Sequence, residues 1–389
     1  MKRLLTFFLI CFSFVEYTRA EDIIDYKYWD EGKLTWDDFQ DTLSLKGVPS
    51  AFNAFLRIEK TEKRDGNTRT IRPEAQACFD KRHSFADRQI QNENLLRLFQ
   101  LKYDLLEMYR RRLQTELNLG VVGIAADNRT RQYMDPYTEQ SKKAEQETEN
   151  GQNEIKLQEW EFYVTKELIE NPAPSIPRIS PRRFGYGFYL GTGASFPVGS
   201  IADYWDPAWQ INVGFDLAYA NTHLLCDFSA GTARTRQEII VSNGQITDKW
   251  LRNGHNTYTS ISLGIGQQLI STKYFALMPY VGCIWSGYSD QAKIQEGRNE
   301  RTTLSYTNFN WTAGICFDYR FSTTISLVPS FWRGHREIFT ASIRTKLFIN
   351  REQFHNFKIA PDDNGSMLRG CKLGFSVACL GFSRLLQIK

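Results

Sequence analysis

The carboxyl-terminal half of the chain alternates large apolar side chains with small or polar ones. In residues 209–219, every second position from Trp209 onward is large and apolar. The intervening positions are small or polar: Gln210, Asn212, Gly214, Asp216 and Ala218. Because successive strand side chains point to opposite faces, this pattern predicts β-strands with one apolar face. The pattern recurs in 184–193 and 308–321, and further strands are predicted at about 223–236, 257–270, 274–288, 324–332, 338–350 and 372–383.

Two architectures can accommodate these strands. A soluble sandwich turns its apolar faces inward, whereas an outer-membrane barrel turns them outward toward lipid and keeps small or polar residues inside. Short turns at 220–222, 271–273 and 322–323 alternate with long polar loops at 200–207, 237–256 and 291–303. Aromatic residues also lie at both ends of the apolar faces, as in an interfacial girdle. We therefore expect an all-β antiparallel transmembrane barrel over residues 183–389, with the sandwich as the alternative.

The number of strands is less clear than the architecture. Nine candidates are present, but single-chain bacterial barrels have even numbers of strands. The stretches 324–332, 338–350 and 372–383 compete for two places. We expect eight strands, and ten is the alternative.

Charged residues fall on the predicted inner face of the barrel. They are Asp216, Asp227, Asp318, Arg320, Arg344 and Lys346. Unpaired charges inside a narrow barrel would be costly, so we expect them to pair with each other. An eight-stranded barrel is just wide enough for side chains to fill it, which predicts a plugged lumen. A selective pore lined by the same charges is the alternative.

The repeated aromatic-glycine strands, with one strand close to the chain end, resemble the small outer-membrane β-barrels common in Gram-negative bacteria. The resemblance covers about 200 residues. It implies an outer-membrane location, with membrane lipid as the barrel's partner, and it implies no specific activity.

The amino-terminal half has a different texture, because it is charged and largely helical in pattern. Lys33-Leu34-Thr35-Trp36-Asp37-Asp38-Phe39 opens it, and short strands are predicted at 54–58 and 68–71. A long helix is predicted from Asp87 to Leu117. Its apolar positions follow helical spacing and include Leu95, Leu98, Leu105, Met108, Tyr109, Leu113 and Leu117.

This order resembles a family of secreted bacterial zinc-dependent peptidase domains over roughly residues 29–118. In that family, a Leu-Thr-Trp-x-Asp-Phe opening leads to a helix carrying H-E-x-x-H, followed by an aromatic residue, Asp and a Glu-x-Tyr-x-Arg tail. Here Leu95-Leu96-Arg97 precedes the motif position, and Tyr103-Asp104 with Glu107-Met108-Tyr109-Arg110-Arg111 follows it. The resemblance implies a peptidase-like α+β frame.

The catalytic residues of that motif are absent from this chain. The two histidine positions are Leu98 and Lys102, and the general-base glutamate position is Phe99. H-E-x-x-H works because two imidazoles one helical turn apart hold zinc while the glutamate deprotonates the bound water. His83 is the only nearby histidine and cannot rebuild the site. We therefore predict no catalytic, cofactor-binding or metal-ligating residue.

The remaining segments complete the domain plan. Residues 1–20 carry a short basic start, an apolar run and a small-residue cleavage site, which predicts a secretory signal peptide. The pattern over residues 137–170 predicts a second long, charged helix. The proline-rich stretch 171–182 predicts an extended linker between a periplasmic domain at 21–170 and the barrel at 183–389.

Composition adds limits on function. The 389 residues hold 48 Lys and Arg against 44 Asp and Glu, a formal net charge of +4 that argues against a nucleic-acid partner. The length fits about two domains at roughly 100–200 residues each. Six cysteines lie beyond residue 20 and form no C-x-x-C pair, so neither a zinc knuckle nor a disulfide framework is predicted.

Three functions are compatible with these patterns. The first is a non-enzymatic outer-membrane protein whose amino-terminal domain binds or scaffolds a periplasmic protein partner. The second is a hydrolase that works through unidentified residues of 21–170. The third is a small channel or an accessory of an envelope transport or secretion system.

Overall fold

The computed structural model describes residues 26–41, 49–242, 247–291, 303–328, 336–359 and 364–388. The predicted signal peptide and most of the predicted loop 291–303 lie outside these residues. By their internal contacts the residues divide into two compact units, 1–59 with 74–175 and 60–73 with 176–389. The short segment 60–73 therefore groups with the strands that follow residue 176, which the sequence pattern did not indicate.

In its described residues, the first unit combines β-strands of very different lengths with three α-helices. Its strands are β1 (Tyr26–Tyr28), β2 (Ser50–Ala51), β3 (Ala54–Asp65), β4 (Thr68–Asp80) and β5 (Phe85–Ala86). β1 and β3 both pair with β4, and β2 pairs with β5. Only the parts of β3 and β4 outside 60–73 belong to this unit.

The long helix α1 (Glu93–Leu119) forms where the apolar spacing predicts a helix, but it begins at Glu93 and not at the predicted Asp87. The Asn92 side chain caps its start by accepting a hydrogen bond from the Leu95 amide at 2.8 Å. Gly120, with a φ of 120°, ends it, and its amide donates to the carbonyl of Glu116. Every apolar position predicted for this helix is buried, which confirms that its apolar face lies in a core.

The predicted single helix over 137–170 is wrong, because two helices occupy this region. α2 spans Ile124–Glu147 and α3 spans Glu154–Glu170. Between them, Glu149, Asn150 and Gly151 have φ angles of 50°, 56° and 89°, which no helix can continue through. The Asn150-Gly151 pair is a turn signal that the charge pattern of the segment obscured.

The described residues of the second unit include eight long antiparallel strands. They are β6 (Ile179–Gly199), β7 (Ala208–Tyr219), β8 (Thr222–Arg234), β11 (His255–Gln267), β13 (Phe275–Gln291), β14 (Thr303–Ser326), β15 (Glu337–Phe357) and β16 (Ser366–Ile388). Among the described residues, each pairs with the next in this order. β16 also pairs with β6, so the hydrogen bonding returns to its start. The shorter strands β9 (Ile239–Ser242), β10 (Thr247–Trp250) and β12 (Ile270–Ser271) lie between them.

The turn predicted at 322–323 is wrong, and so is the separate strand predicted at 324–332 over its described part, while residues 329–332 lie outside the described residues. β14 continues without a turn to Ser326. Its register against β15 shifts between Arg320 and Ser322, which marks a β-bulge. Because a bulge adds one residue, the inward positions change from even to odd numbers there, and the sequence pattern looks as if the strand had stopped.

The two ends of this strand ring differ, and we call them the turn end and the loop end. At the turn end, short connections join β7 to β8 and β11 to β13. There the chain segment 60–73 adds an edge, since Thr68–Ile71 of β4 pairs in parallel with Thr323–Ser326 of β14. The Asn67 side chain donates to the carbonyls of Lys273 and Arg320 at 3.2 and 2.9 Å.

No helix in the described part of the chain has both the length and the apolar character needed to cross a membrane.

Candidate functional site

The outer face of the strand ring is apolar and exposed. On β7, Trp209, Phe215 and Tyr219 are 65%, 56% and 61% exposed. Other strands repeat this arrangement with Phe184, Phe188, Ile261, Ile265, Val281, Trp285, Phe309, Trp311, Phe317 and Leu347. The large rings are therefore not packed between two stacked sheets, which is where the sandwich alternative would place them.

The inner face holds a buried ion-pair network around Arg344. Its guanidinium donates to both carboxylate oxygens of Asp318 at 2.7 and 2.9 Å and to Asp216 at 2.8 Å. His223 Nδ1 lies 2.6 Å from the other oxygen of Asp216. Arg344 is 2% exposed and Asp216 is 0% exposed, so these charges depend on one another rather than on water.

A second ion pair lies next to the first along the strands. Lys346 Nζ is 2.5 Å from Asp227 and 4.5 Å from the centre of the Tyr280 ring. The Tyr189 hydroxyl also donates to Asp227. The predicted pairing of inner-face charges is thus confirmed for Asp216, Asp227, Asp318, Arg344 and Lys346. Arg320 differs, because its Nη1 donates to the Thr272 carbonyl at 2.7 Å instead of to a carboxylate.

A third buried pair was missed by the sequence reasoning. Lys372 Nζ is 2.9 Å from Glu352, and both side chains are 0% exposed. The ammonium also lies 3.5 Å from the centre of the Tyr258 ring and 4.3 Å from that of Tyr288, as in a cation–π cage. The signal was available, since Glu352 has the same alternation parity as the inward-facing Lys346 on the same strand.

An aromatic cluster closes the loop end of the ring. Trp205 comes from the connection after β6, is fully buried, and stacks on the Tyr288 ring with centres 4.3 Å apart. Phe354 and Phe357 pack against the same indole. Ile239, Val241 and Trp250 of the β9–β10 hairpin join this buried cluster. The predicted loop 237–256 is therefore partly folded onto the barrel end.

The turn end contains a cavity of about 370 Å³. Its polar lining includes Asn221, His223, Gln268, Lys273, Asp318, Arg320, Arg344 and Arg384. A second cavity, of about 30 Å³, lies beside Asp227 and Lys346. The larger one has room for a small ligand, whereas the smaller one holds at most a water molecule.

In the first unit, the positions that correspond to the zinc motif form part of a hydrophobic core. Leu98 and Phe99 are 1% and 3% exposed. The Phe99 ring stacks on Phe52 with centres 5.6 Å apart. Lys102 pairs with Glu145 and lies 4.7 Å from the centre of the Phe52 ring.

Among the described residues, no group of three or more His, Cys, Asp or Glu side chains is arranged to hold a metal ion. His83 is an exposed side chain whose Nδ1 lies 2.8 Å from Asp80. Burial raises the pKa of the Cys78 thiol to about 12, which keeps it protonated and poorly nucleophilic.

No protein-family model matches the sequence, and no curated protein matches it. Solved structures similar to about half of the chain include Ail, the attachment invasion locus protein of Yersinia pestis, at 13% identity over 52% of this chain and 99% of that one, with a TM-score of 0.27. They also include a major outer membrane protein from Thermus thermophilus, at 12% identity over 51% and 98%, with a TM-score of 0.23. A third is the N-terminal β-barrel domain of Pseudomonas aeruginosa OprF, at 9% identity over 52% and 99%, with a TM-score of 0.21. At these TM-scores the similarity carries no weight for function.

Proposed function

We propose that this protein is a non-enzymatic outer-membrane β-barrel protein with a closed lumen and a periplasmic binding or scaffolding domain at residues 21–170. The observation that carries the proposal is the inverted arrangement of the strand ring, with large apolar side chains outside and paired charges inside. Soluble monomers rarely expose contiguous apolar surface beyond a few hundred Å². Hydrocarbon removes that cost, and a closed ring of strands satisfies the backbone groups that lipid cannot.

Membrane location is tested by cell fractionation combined with gel mobility before and after boiling. A folded barrel of this kind resists unfolding in cold detergent, so the unboiled and boiled forms should migrate differently. Protease added outside intact cells should cut only connections at the loop end. Recovery of the mature protein in the soluble fraction without detergent would contradict the proposal.

The closed lumen is supported by the Trp205 cluster at the loop end and by the buried ion pairs in the interior. A solute would have to displace stacked rings and separate buried charges, which is costly in a low dielectric. Reconstituted protein should therefore show no discrete conductance steps in planar bilayers. Reproducible single-channel steps would instead favour the small-channel function.

A scaffolding role for the first unit is supported by an exposed apolar stripe on α3. Ile155, Phe162 and Ile169 are 72%, 73% and 74% exposed and recur every seven residues, so they share one helix face. Photo-crosslinkers at these three positions should capture a periplasmic protein in intact cells. Crosslinkers at Lys142 and Gln146, which are exposed on α2 and not on this face of α3, are the matched controls.

The non-enzymatic assignment is supported by the packing of Leu98, Phe99 and Lys102. None of these side chains can act as a zinc ligand and general base in the way H-E-x-x-H requires. Metal analysis of the purified protein should find no stoichiometric zinc, and peptide libraries should not be cleaved. Stoichiometric zinc together with peptide hydrolysis would restore the hydrolase function.

A further inference from the structure

The turn-end cavity is unusually rich in positive charge for the interior of a barrel. Its lining includes four cationic side chains, Lys273, Arg320, Arg344 and Arg384, and one carboxylate, Asp318. That carboxylate is already engaged, because both of its oxygens accept hydrogen bonds from Arg344. The cavity therefore offers many donors and few acceptors.

Arg320 and Arg384 have no carboxylate partner among the described residues. Arg320 Nη1 donates to the Thr272 carbonyl at 2.7 Å, and Arg384 Nη2 donates to the Ala220 carbonyl at 2.6 Å. No other described hydrogen bond or ion pair involves either guanidinium, so donors remain free on both. Thr272 lies in the connection between β12 and β13, and Ala220 lies in the turn between β7 and β8, so both carbonyls are at the turn end.

One of the two arginines lies at a β-bulge of its own strand. Against β15, the register of β14 shifts between Arg320 and Ser322, so β14 carries one extra residue there. Arg384 lies beside a register shift between β16 and β6, in which the extra residues are on β6 and β16 stays in regular register with β15. Bulges are common next to binding sites because they redirect a side chain.

Two buried side-chain nitrogens of the cavity lining have no hydrogen-bond partner among the described residues. They are Nε2 of His223 and Nη1 of Arg344, on side chains whose residues are 5% and 2% exposed. The other groups of these side chains are satisfied, through Asp216 and Asp318. The Arg344 Nη1 group is a charged donor, and burying it without an acceptor is destabilising. His223 Nε2 is a donor or an acceptor depending on the tautomer of the imidazole.

We propose that this cavity binds a small molecule through a phosphate or carboxylate group held by Arg320 and Arg384. Guanidinium forks match the geometry of both oxyanions, which accept several hydrogen bonds at once. The oxyanion supplies the acceptors that the lining lacks. A volume of about 370 Å³ suits a compact ligand rather than a polymer. All of its lining residues belong to the second unit.

Calorimetric titration of the mature chain in detergent tests this proposal, with inorganic phosphate and succinate as separate probes at constant ionic strength. Saturable binding of either probe supports the site, and the stronger binder identifies the preferred oxyanion. Arg320→Gln/Arg384→Gln should weaken binding at least tenfold. Arg351→Gln removes an exposed arginine on β15 outside the cavity lining and should leave binding unchanged. Failure of both probes to bind, or equal affinity in the double variant, overturns the proposal.

Arginine modification of the unaltered protein covers the case in which the double variant does not fold. Phenylglyoxal labelling read by mass spectrometry reports each guanidinium separately. Phosphate or succinate should slow labelling of Arg320 and Arg384 while leaving Arg351 unaffected. Equal labelling rates with and without the probes at all three arginines would contradict the site independently of any substitution.

Discussion

Replacing Arg344 with methionine tests whether the buried charges hold the barrel interior together. Arg344→Met keeps an unbranched side chain but removes three N–H···O bonds of 2.7–2.9 Å to Asp318 and Asp216. Their side chains are 11% and 0% exposed, so neither carboxylate can recover its solvation in water. Removing one partner of a buried ion pair typically costs about 3–5 kcal/mol. That is a large share of a total stability of roughly 5–15 kcal/mol.

A triple variant distinguishes the cost of leaving unpaired buried charges from the cost of losing the packing of the Arg344 side chain. Arg344→Met combined with Asp216→Asn and Asp318→Asn leaves no unpaired charge, so most of the stability should return. The control is Arg236→Met, which breaks a pair with Asp206 whose side chains are 50% and 37% exposed. Exposed pairs contribute about 0–1 kcal/mol.

Urea unfolding in lipid vesicles, followed by tryptophan fluorescence and gel mobility, measures these differences. The expected order of stability is wild type, Arg236→Met, the triple variant and then Arg344→Met. An Arg344→Met variant within about 1 kcal/mol of wild type, the size of an ordinary surface substitution, would refute the reasoning. So would a triple variant no more stable than Arg344→Met alone.

Three further predictions follow from other contacts. Trp205→Ala should lower the free energy of unfolding by about 3–5 kcal/mol, and the outward Trp209→Ala should lower it far less. The Trp205→Ala variant should still show no discrete conductance steps in planar bilayers. Asn67→Ala removes the side-chain hydrogen bonds to the carbonyls of Lys273 and Arg320. Hydrogen exchange measured by mass spectrometry should therefore be faster in segment 60–73 and unchanged in β8. Burial alone would raise the pKa of Asp38, but hydrogen bonds from Lys27 and the Thr35 amide lower it below 3.8. The ionised carboxylate therefore stabilises the fold above about pH 3.8, and this stabilisation is lost as the pH falls below that value. The free energy of unfolding should thus fall more in acid for wild type than for Asp38→Asn.

Much of the barrel could be predicted from the sequence, because successive side chains of a strand point to opposite faces and the alternation of apolar and polar residues records this. Trp209 and its alternate neighbours face outward as predicted, and Asp216, Asp227 and Arg344 face inward. Parity alone decides these positions, and it needs no knowledge of which strands pair. The pairing of Lys346 with Asp227 also follows, since a narrow interior leaves few other partners.

Two kinds of feature could not be predicted: a local change in the alternation of inward and outward residues, and pairing between residues that are far apart in the sequence. The bulge after Arg320 reversed the alternation and made one strand look like two. The grouping of 60–73 with the second unit depends on backbone pairing across about 250 residues of chain, between Thr68 and Thr323. The turn-end cavity combines arginines from β14 and β16, which are separated in sequence. No single window of residues contains such a site.

The central claim is that the outer face of the strand ring contacts lipid acyl chains, and crosslinking with photoactivatable lipids tests it directly. Lipids with a diazirine in the acyl chain can be incorporated into membrane vesicles carrying the unaltered protein, and crosslinked residues mapped by mass spectrometry. Labelling should concentrate on outward positions such as Trp209, Phe215, Trp285 and Trp311 and spare their inward neighbours Gln210 and Asp216. Absence of acyl-chain labelling on those rings, or equal labelling of both faces, would contradict the proposed barrel.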